Sequence, residues 1–138
     1  MNHIEPTREQ FEAFKALPRE TPIMMLNLIR LNETAVYPDG ESCSGAEAYK
    51  RYGDKSVRIF REAGGEIVWR GQRECVLTGP AEEAWDISFI ALYPSAQVFL
   101  SMVMSEAYQA IVIHRTVAVK DSRLIRYSPA PLGEGFSS

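Results

Sequence analysis

The sequence has little of what recognised catalytic and metal sites are built from. Its two cysteines, Cys43 and Cys75, stand far apart with no CxxC or Cys/His spacing, so neither a disulfide framework nor a zinc site is predicted. There is no GxGxxG after a strand, no P-loop, no GxSxG and no HExxH, which disfavours nucleotide-dependent enzymes, serine hydrolases of that type and zinc proteases. No cofactor and no metal ion are therefore expected.

Positive charge and long apolar runs are scarce as well. The chain carries 15 Lys and Arg against 18 Asp and Glu, a formal net charge of -3, and its basic residues are scattered. It therefore has no basic field of the kind that binds nucleic acid. No segment approaches the roughly 18 apolar residues of a membrane-spanning helix, and no signal peptide is visible at the N-terminus. We expect a cytoplasmic protein without nucleic-acid or membrane partners.

What the sequence does contain is the composition of an ordinary globular domain. Its 138 residues are 46% hydrophobic and 24% charged, which suits one folded unit with a single core. We divide this single domain into an N-terminal helical appendage at 1–21, a core at 22–127 and an extended tail at 128–138, where Pro, Gly and Ser accumulate.

The spacing of apolar residues predicts the elements of the core. In order, they are a buried strand at 23–31, a loop at 32–43, a helix at 44–65 with a capping box at Ser44, a strand at 66–72, a short companion strand at 74–80, a strand at 86–93, a helix from Ser95 to about Val119 with a break near Ser105, and a strand at 121–127. Without the first helix and the short companion, this is the β-α-β-β-α-β order of a ferredoxin-like fold. The predicted class is α+β, one antiparallel sheet with both helices on one face.

The first strand of the core is apolar on both sides. Apart from Asn27, residues 23–29 are all apolar, although a ferredoxin-like protomer covers only one face of its sheet. A second copy of the chain is the most economical cover for the other face. We therefore predict a homodimer in which sheet packs on sheet.

Five phrases stand in the chain in this order: MLNLIRL, SGAEAYKRYG, EAGGEIVWRG, EAWDISFIALYPSAQVF and SEAYQAIVIHR. By their number, order and spacing they resemble the uncharacterised DUF1330 family of the dimeric α+β barrel superfamily. The resemblance covers roughly residues 22–127 and implies a ferredoxin-like protomer in a two-fold dimer whose sheets close into a barrel. It brings no catalytic residues with it. Related superfamily members include cofactor-independent monooxygenases, muconolactone isomerases, haem-handling enzymes and small-molecule sensors, a range too wide to fix a function.

His114 and Arg115 are the main candidates for a functional role. A helical wheel over residues 105–120 places both on the buried side, and a buried guanidinium needs carboxylates, carbonyl groups or an anionic ligand. In one interpretation Arg115 pairs with Asp86 or Asp121 and His114 bonds a backbone carbonyl, for packing alone. In the other, Arg115 binds a ligand carboxylate or enolate oxygen, and His114 acts as an acid, a base or a hydrogen-bond donor.

Further candidates have structural alternatives of the same kind. Asn27 either bonds a neighbouring loop or orients a substrate carbonyl from the floor of the sheet. Trp69 and Trp85 either fill the core or a dimer contact, or form a pocket wall. Tyr52 is a core residue whose phenol could reach a ligand, and Asp86 opens a strand where it could cap a turn.

These residues together predict a pocket between sheet and helices for a small organic molecule with an anionic or carbonyl oxygen. If the protein is an enzyme, we expect proton-transfer, isomerase or cofactor-independent oxygenase chemistry, with His114 as acid or base, Arg115 as anion stabiliser and Asn27 as orienter. Two alternatives stay open: a non-catalytic module that binds a metabolite, and a purely structural dimer without a ligand.

Overall fold

A four-stranded antiparallel sheet with helices on one face organises the computed structural model, which describes residues 2–137. The elements are α1 (Arg8–Ala16), β1 (Ile23–Leu31), β2 (Thr34–Val36), β3 (Ser42–Ser44), α2 (Gly45–Glu62), β4 (Glu66–Gly71), β5 (Ile87–Tyr93), α3 (Ala96–Met104), α4 (Glu106–Ile111), α5 (Ile113–Ala118) and β6 (Val119–Tyr127), with a short 3-10 helix at Ala81–Glu83. The strand order β4-β5-β1-β6 confirms the predicted α+β class and ferredoxin-like arrangement.

Serine hydroxyls set the starts of three helices. Ser44 accepts the N–H of Glu47, and Ser95 caps α3 in the same way, as serine does at helix N-termini. Ser105 ends α3 and caps α4, because its hydroxyl donates to the carbonyl of Met102 and accepts the N–H of Tyr108. The predicted break near Ser105 is confirmed. Among residues 2–137 no single helix is long and apolar enough to cross a membrane, although α3 followed by the segment Glu106–Ala118, bent by 56°, meets the length and composition together.

The predicted loop at 32–43 contains a small hairpin, so this prediction was wrong. β2 and β3 pair in antiparallel register across a turn in which Gly40 adopts φ 90°, a backbone conformation that glycine tolerates best. The hairpin forms because Ala35, which is fully buried, packs with Ala48 and Ala118 of the helices. Tertiary packing therefore gives structure to a segment whose own pattern indicates only a turn.

The predicted companion strand at 74–80 was also wrong, since this segment forms no strand. Its apolar residues are consecutive rather than alternating, and they find no surface to cover, with Leu77 93% exposed. A strand on the free edge of β4 would need one apolar face to pack against the fold. Without such a face the segment stays in solvent as a loop.

The two faces of the sheet differ in what covers them. Ile23, Met25 and Ile29 of β1 are buried on the side that packs against the helices. Residues on the other side of the strand include Met24 and Leu26, which are only partly buried and line an apolar depression. The sheet therefore has one face covered by helices, and one face that no element of the same chain covers among residues 2–137.

Candidate functional site

Two buried apolar clusters lie at opposite ends of β1, and the residues between them are only partly buried. One cluster includes Ile23 and Met25; the other includes Ala35 and Ala118, with Leu31 packed against it. Asn27, at the middle of the strand, is only half-buried. The middle of β1 is therefore less completely buried than its two ends.

A row of side chains crosses the sheet at this level. The strand register places Phe89 of β5 opposite Asn27, and Arg70 of β4 opposite Phe89. Directly opposed residues in antiparallel strands point to the same face, so all three lie on the helix-covered side. The amide of Asn27 donates to the carbonyl of Met25 at 3.0 Å, which leaves its side-chain oxygen free to accept a hydrogen bond.

Three tyrosines from the helices, Tyr49, Tyr52 and Tyr108, form a cluster above this row. The hydroxyls of Tyr52 and Tyr108 lie 2.8 Å apart, and the rings of Tyr49 and Tyr52 have centroids 5.5 Å apart. The hydroxyl of Tyr49 makes no hydrogen bond with any residue that the structure describes. This half-buried hydroxyl can therefore bond to solvent or to a ligand.

Burial raises the pKa of two of these phenols, those of Tyr49 and Tyr52. Burial raises the pKa of Tyr49 to about 12, while the charge of Arg115 acts in the opposite direction, as does the more weakly coupled Arg70. Burial also raises the pKa of Tyr52 well above its ordinary value, with a contribution from Tyr108. At neutral pH the hydroxyls are therefore hydrogen-bond donors rather than anions.

Arg115 lies beside the tyrosine cluster and has no carboxylate partner within residues 2–137. Its guanidinium donates to the carbonyl of Ile4 at 2.8 Å and to the hydroxyl of Ser122 at 3.4 Å. Asp121 instead forms an ion pair with Arg123, and Asp86 accepts the N–H of Leu31 at 2.8 Å. The internal ion pair of the packing interpretation is therefore absent from this part of the chain.

The side chain of His114 has different partners from that of its neighbour Arg115. Its Nδ1 lies 2.6 Å from the hydroxyl of Tyr37 in the turn of the hairpin, so its partner is a side chain and not the backbone carbonyl that the packing interpretation predicts. Arg51 donates to the same hydroxyl at 3.4 Å. Burial lowers the pKa of His114, and the charges of Lys55 and Arg51 lower it further. The imidazole is therefore mainly neutral at pH 7, and Nδ1 accepts the hydrogen bond of the Tyr37 hydroxyl in one tautomer and donates to that hydroxyl in the other.

The other predicted site residues are distributed over both faces of the sheet. Tyr52 and Asn27 lie on the helix-covered side with Arg115. Trp69 is opposite Ile90 on the uncovered face and 49% exposed. Trp85 is buried, and the guanidinium of Arg123 lies 4.9 Å above its ring. Neither tryptophan contacts the tyrosine cluster.

Several residues of this region did not appear among the sequence-based candidates. The sequence contains a signal for Tyr108, because the helical wheel places it beside Arg115. It contains no such signal for Arg70, Ser122 or Tyr37, because strand register or the hairpin brings each of them to the region. Such long-range pairings are not encoded in any local spacing.

A depression of about 340 Å³ lies at the Arg70 end of the row. Its lining consists of Arg70, Gly71, Gln72, Asp86, Ile87 and Ser88. The depression opens to solvent at the edge of the sheet, with Arg70 and Ile87 on the helix-covered side and Ser88 on the other side. Within residues 2–137 no group of three or more His, Cys, Asp or Glu side chains could hold a metal ion.

Comparison with known proteins gives relatives of known structure but no activity. Two crystal structures of the RPA0582 protein, one of them methylated and the other described as a protein of unknown function from Rhodopseudomonas palustris, share 50% and 49% identity with this chain. Each match covers 96% of this chain. The matches cover 98% and 100% of the RPA0582 chains, with TM-scores of 0.92 and 0.91.

A more distant structure shares the fold alone. It is a dimeric protein of unknown function and ferredoxin-like fold from Bacteroides fragilis, with 10% identity, a TM-score of 0.50 and coverage of 80% of this chain and 98% of its own. No curated protein matches the sequence. The model of the domain of unknown function DUF1330 matches residues 42–126. The chain therefore belongs to the DUF1330 family.

Proposed function

We propose that this protein binds a small organic molecule with an anionic or carbonyl oxygen, in the space between the sheet and the tyrosine cluster. The observation that carries the proposal is the guanidinium of Arg115, which is half-buried beside protonated phenols and whose partners among residues 2–137 are one carbonyl and one hydroxyl. A guanidinium offers more N–H donors than these two bonds use. An anionic ligand would supply the charge that the described residues do not.

The hydrogen-bonding groups around Arg115 favour the same kind of ligand. The hydroxyl of Tyr49 can donate, and the guanidinium of Arg70 adds a second positive charge on the same side of the sheet. Oxygen atoms that carry or share a negative charge make the strongest hydrogen bonds with such donors. The region would bind an amine or another cation poorly, because the charges of Arg115 and Arg70 repel it.

Proton-transfer chemistry is the second candidate, and the neutral state of His114 favours it. In the tautomer whose Nδ1–H donates to the Tyr37 hydroxyl, a neutral imidazole can accept a proton at Nε2. Arg115 and His114 have separate hydrogen-bond partners, however, so a ligand at Arg115 would need to extend past α5 to reach that nitrogen. We therefore place recognition before catalysis.

We also propose that the protein acts as a homodimer joined through the uncovered face of the sheet. Met24, Leu26, Ile90 and Tyr127 line an apolar depression of about 260 Å³ there, and Ile125 and Tyr127 are 40% and 51% exposed. Apolar surface of this kind commonly marks an interface. A second sheet presenting the same residues would be self-complementary across a two-fold axis.

Calorimetric titration with benzoate tests the ligand proposal. We expect the wild-type protein to bind benzoate, Arg115→Met to lose at least tenfold in affinity, and Arg115→Lys to lose less because it keeps the charge. Arg58→Met is the matched control, since Arg58 lies on the exposed side of α2 with an ion pair to Glu62. Equal affinity in the wild type and in Arg115→Met would contradict the proposal.

A further inference from the structure

We propose, on the basis of the function proposed above, that the ligand is a flat dianion, with one anionic group at Arg115 and the second at Arg70. An aromatic dicarboxylate has this chemistry. The inference deepens the proposed function, because it fixes the ligand's charge and the direction in which it lies.

Arg70 has the position that such a ligand requires. Its strand is at the edge of the sheet, and the register Arg70–Phe89–Asn27 places it on the same face as Asn27. It lines the 340 Å³ depression that opens to solvent. Arg70 makes no hydrogen bond or ion pair within the described part of the chain, so its charge is free to attract a ligand at the mouth.

Tyr49 lies within electrostatic range of both arginines. Arg115 and Arg70 each lower the pKa of this phenol against the dominant effect of its burial. Arg115 is held from the β6 side by Ser122, whereas Arg70 belongs to the opposite edge strand. The two charges therefore approach the Tyr49 hydroxyl from different sides, with the uncharged row of Phe89 and Asn27 on the floor between them.

The acidic residues nearby leave both charges largely uncompensated. On α2, Glu47, Asp54 and Glu62 pair with basic residues of the same helix. Asp86 is the one acid that lines the depression with Arg70, and one of its oxygens already accepts the N–H of Leu31. A ligand with two negative groups matches this excess of positive charge better than a ligand with one.

Aromatic side chains between the two arginines favour a flat ligand. Phe89 lies on the helix-covered face between Arg70 and Asn27, and the rings of Tyr49 and Tyr52 on α2 are tilted by 51° to each other. Planar rings gain favourable contacts against such surfaces in stacked or edge-on geometry. A benzene ring with two carboxylates combines this surface with the two charges.

Titration of the full-length protein with benzoate, isophthalate and terephthalate tests the inference. We expect at least one dicarboxylate to bind about threefold to tenfold more tightly than benzoate, as one partly exposed ion pair provides. Arg70→Met should remove this advantage, and should weaken the binding of the dicarboxylate more than the binding of benzoate. Arg73→Met, in the exposed loop after β4, is the matched control. Arg115→Met and Arg115→Lys should weaken the binding of all three probes.

The possible results separate the two proposals. If benzoate binds through Arg115 but neither dicarboxylate binds more tightly, or the advantage survives in Arg70→Met, the dianion inference is wrong and the proposed function stands. If no probe binds in a manner that depends on Arg115, both are contradicted. Circular dichroism of each variant shows whether the fold is kept. If Arg115→Met unfolds, the comparison of Arg70→Met with the wild type decides the inference, because Arg70 lies on an exposed edge strand.

Discussion

The hydroxyl of Tyr37 and Nδ1 of His114 lie 2.6 Å apart and join the β2–β3 hairpin to α5. Burial and the charges of Lys55 and Arg51 lower the pKa of His114, so the imidazole at this contact is mainly neutral at pH 7. Protonation would place a third positive charge beside those of Lys55 and Arg51. The contact between hairpin and helix therefore depends on pH.

Stability should fall in mild acid through His114. A histidine with a lowered pKa in the folded state binds protons more readily when unfolded, so its contribution is complete above the unfolded value of about 6.5 and is lost as pH falls toward the folded value. Urea unfolding at several pH values should show a smaller decrease for His114→Gln than for the wild type. His3→Gln replaces the second of the two histidines. Its free energy of unfolding should decrease as much as that of the wild type.

NMR titration gives an independent measurement of the same residue. The resonances of His114 should titrate below the ordinary histidine pKa of about 6.5, and Lys55→Met should move the His114 pKa upward by removal of a nearby charge. An unchanged His114 pKa in Lys55→Met would show that the charge of Lys55 does not contribute to the shift.

The two neighbouring tyrosines of α2 should respond differently to loss of the hydroxyl. Tyr52→Phe leaves Tyr108 without its partner at 2.8 Å and should lower the free energy of unfolding by about 1 kcal/mol. Tyr49→Phe removes a hydroxyl that makes no hydrogen bond among the described residues, and should change stability little while it weakens benzoate binding. Chemical denaturation and calorimetry measure the two effects. Equal stability losses would contradict this assignment.

Ser122 should stabilise the start of the chain. Its hydroxyl donates to the carbonyl of His3 at 2.7 Å and accepts from Arg115 at 3.4 Å. Ser122→Ala should lower the free energy of unfolding by about 1 kcal/mol, and should speed hydrogen exchange at residues 3–4 more than elsewhere. Ser101→Ala, on the exposed side of α3, provides the comparison. Unchanged exchange at residues 3–4 would show that the segment is held by other contacts.

A charge on the uncovered sheet face should prevent the proposed dimer. Ile125→Glu places a carboxylate on this face and should give a monomeric mass by light scattering at micromolar concentration, where the wild type should give a dimeric mass. Leu17→Glu introduces the same charge at a residue that is 50% exposed after α1 and should leave the mass unchanged. A monomeric wild type would end the dimer proposal.

The sequence predicts the sheet and its helices well, because alternating apolar residues and serine caps are local signals. The break at Ser105 is an example, since one hydroxyl both ends and begins a helix. The sequence-based prediction missed the hairpin at 34–44, because Ala35 is buried by contacts with residues distant in sequence. The region around Arg115 was predicted only in part for the same reason: Arg70 and Ser122 join it through strand pairing, and Ile4 through the path of the first residues.

The hydrogen-bonding groups around Arg115 have a consequence for how the protein would respond to its surroundings. Arginine stays protonated in proteins, and burial holds the pKa of Tyr49 and Tyr52 above the physiological range. Between mildly acidic and mildly basic conditions this region therefore presents a constant electrical surface. Any change in affinity over that range would therefore come from ionisation of the bound molecule itself or from ionisation of His114 across α5.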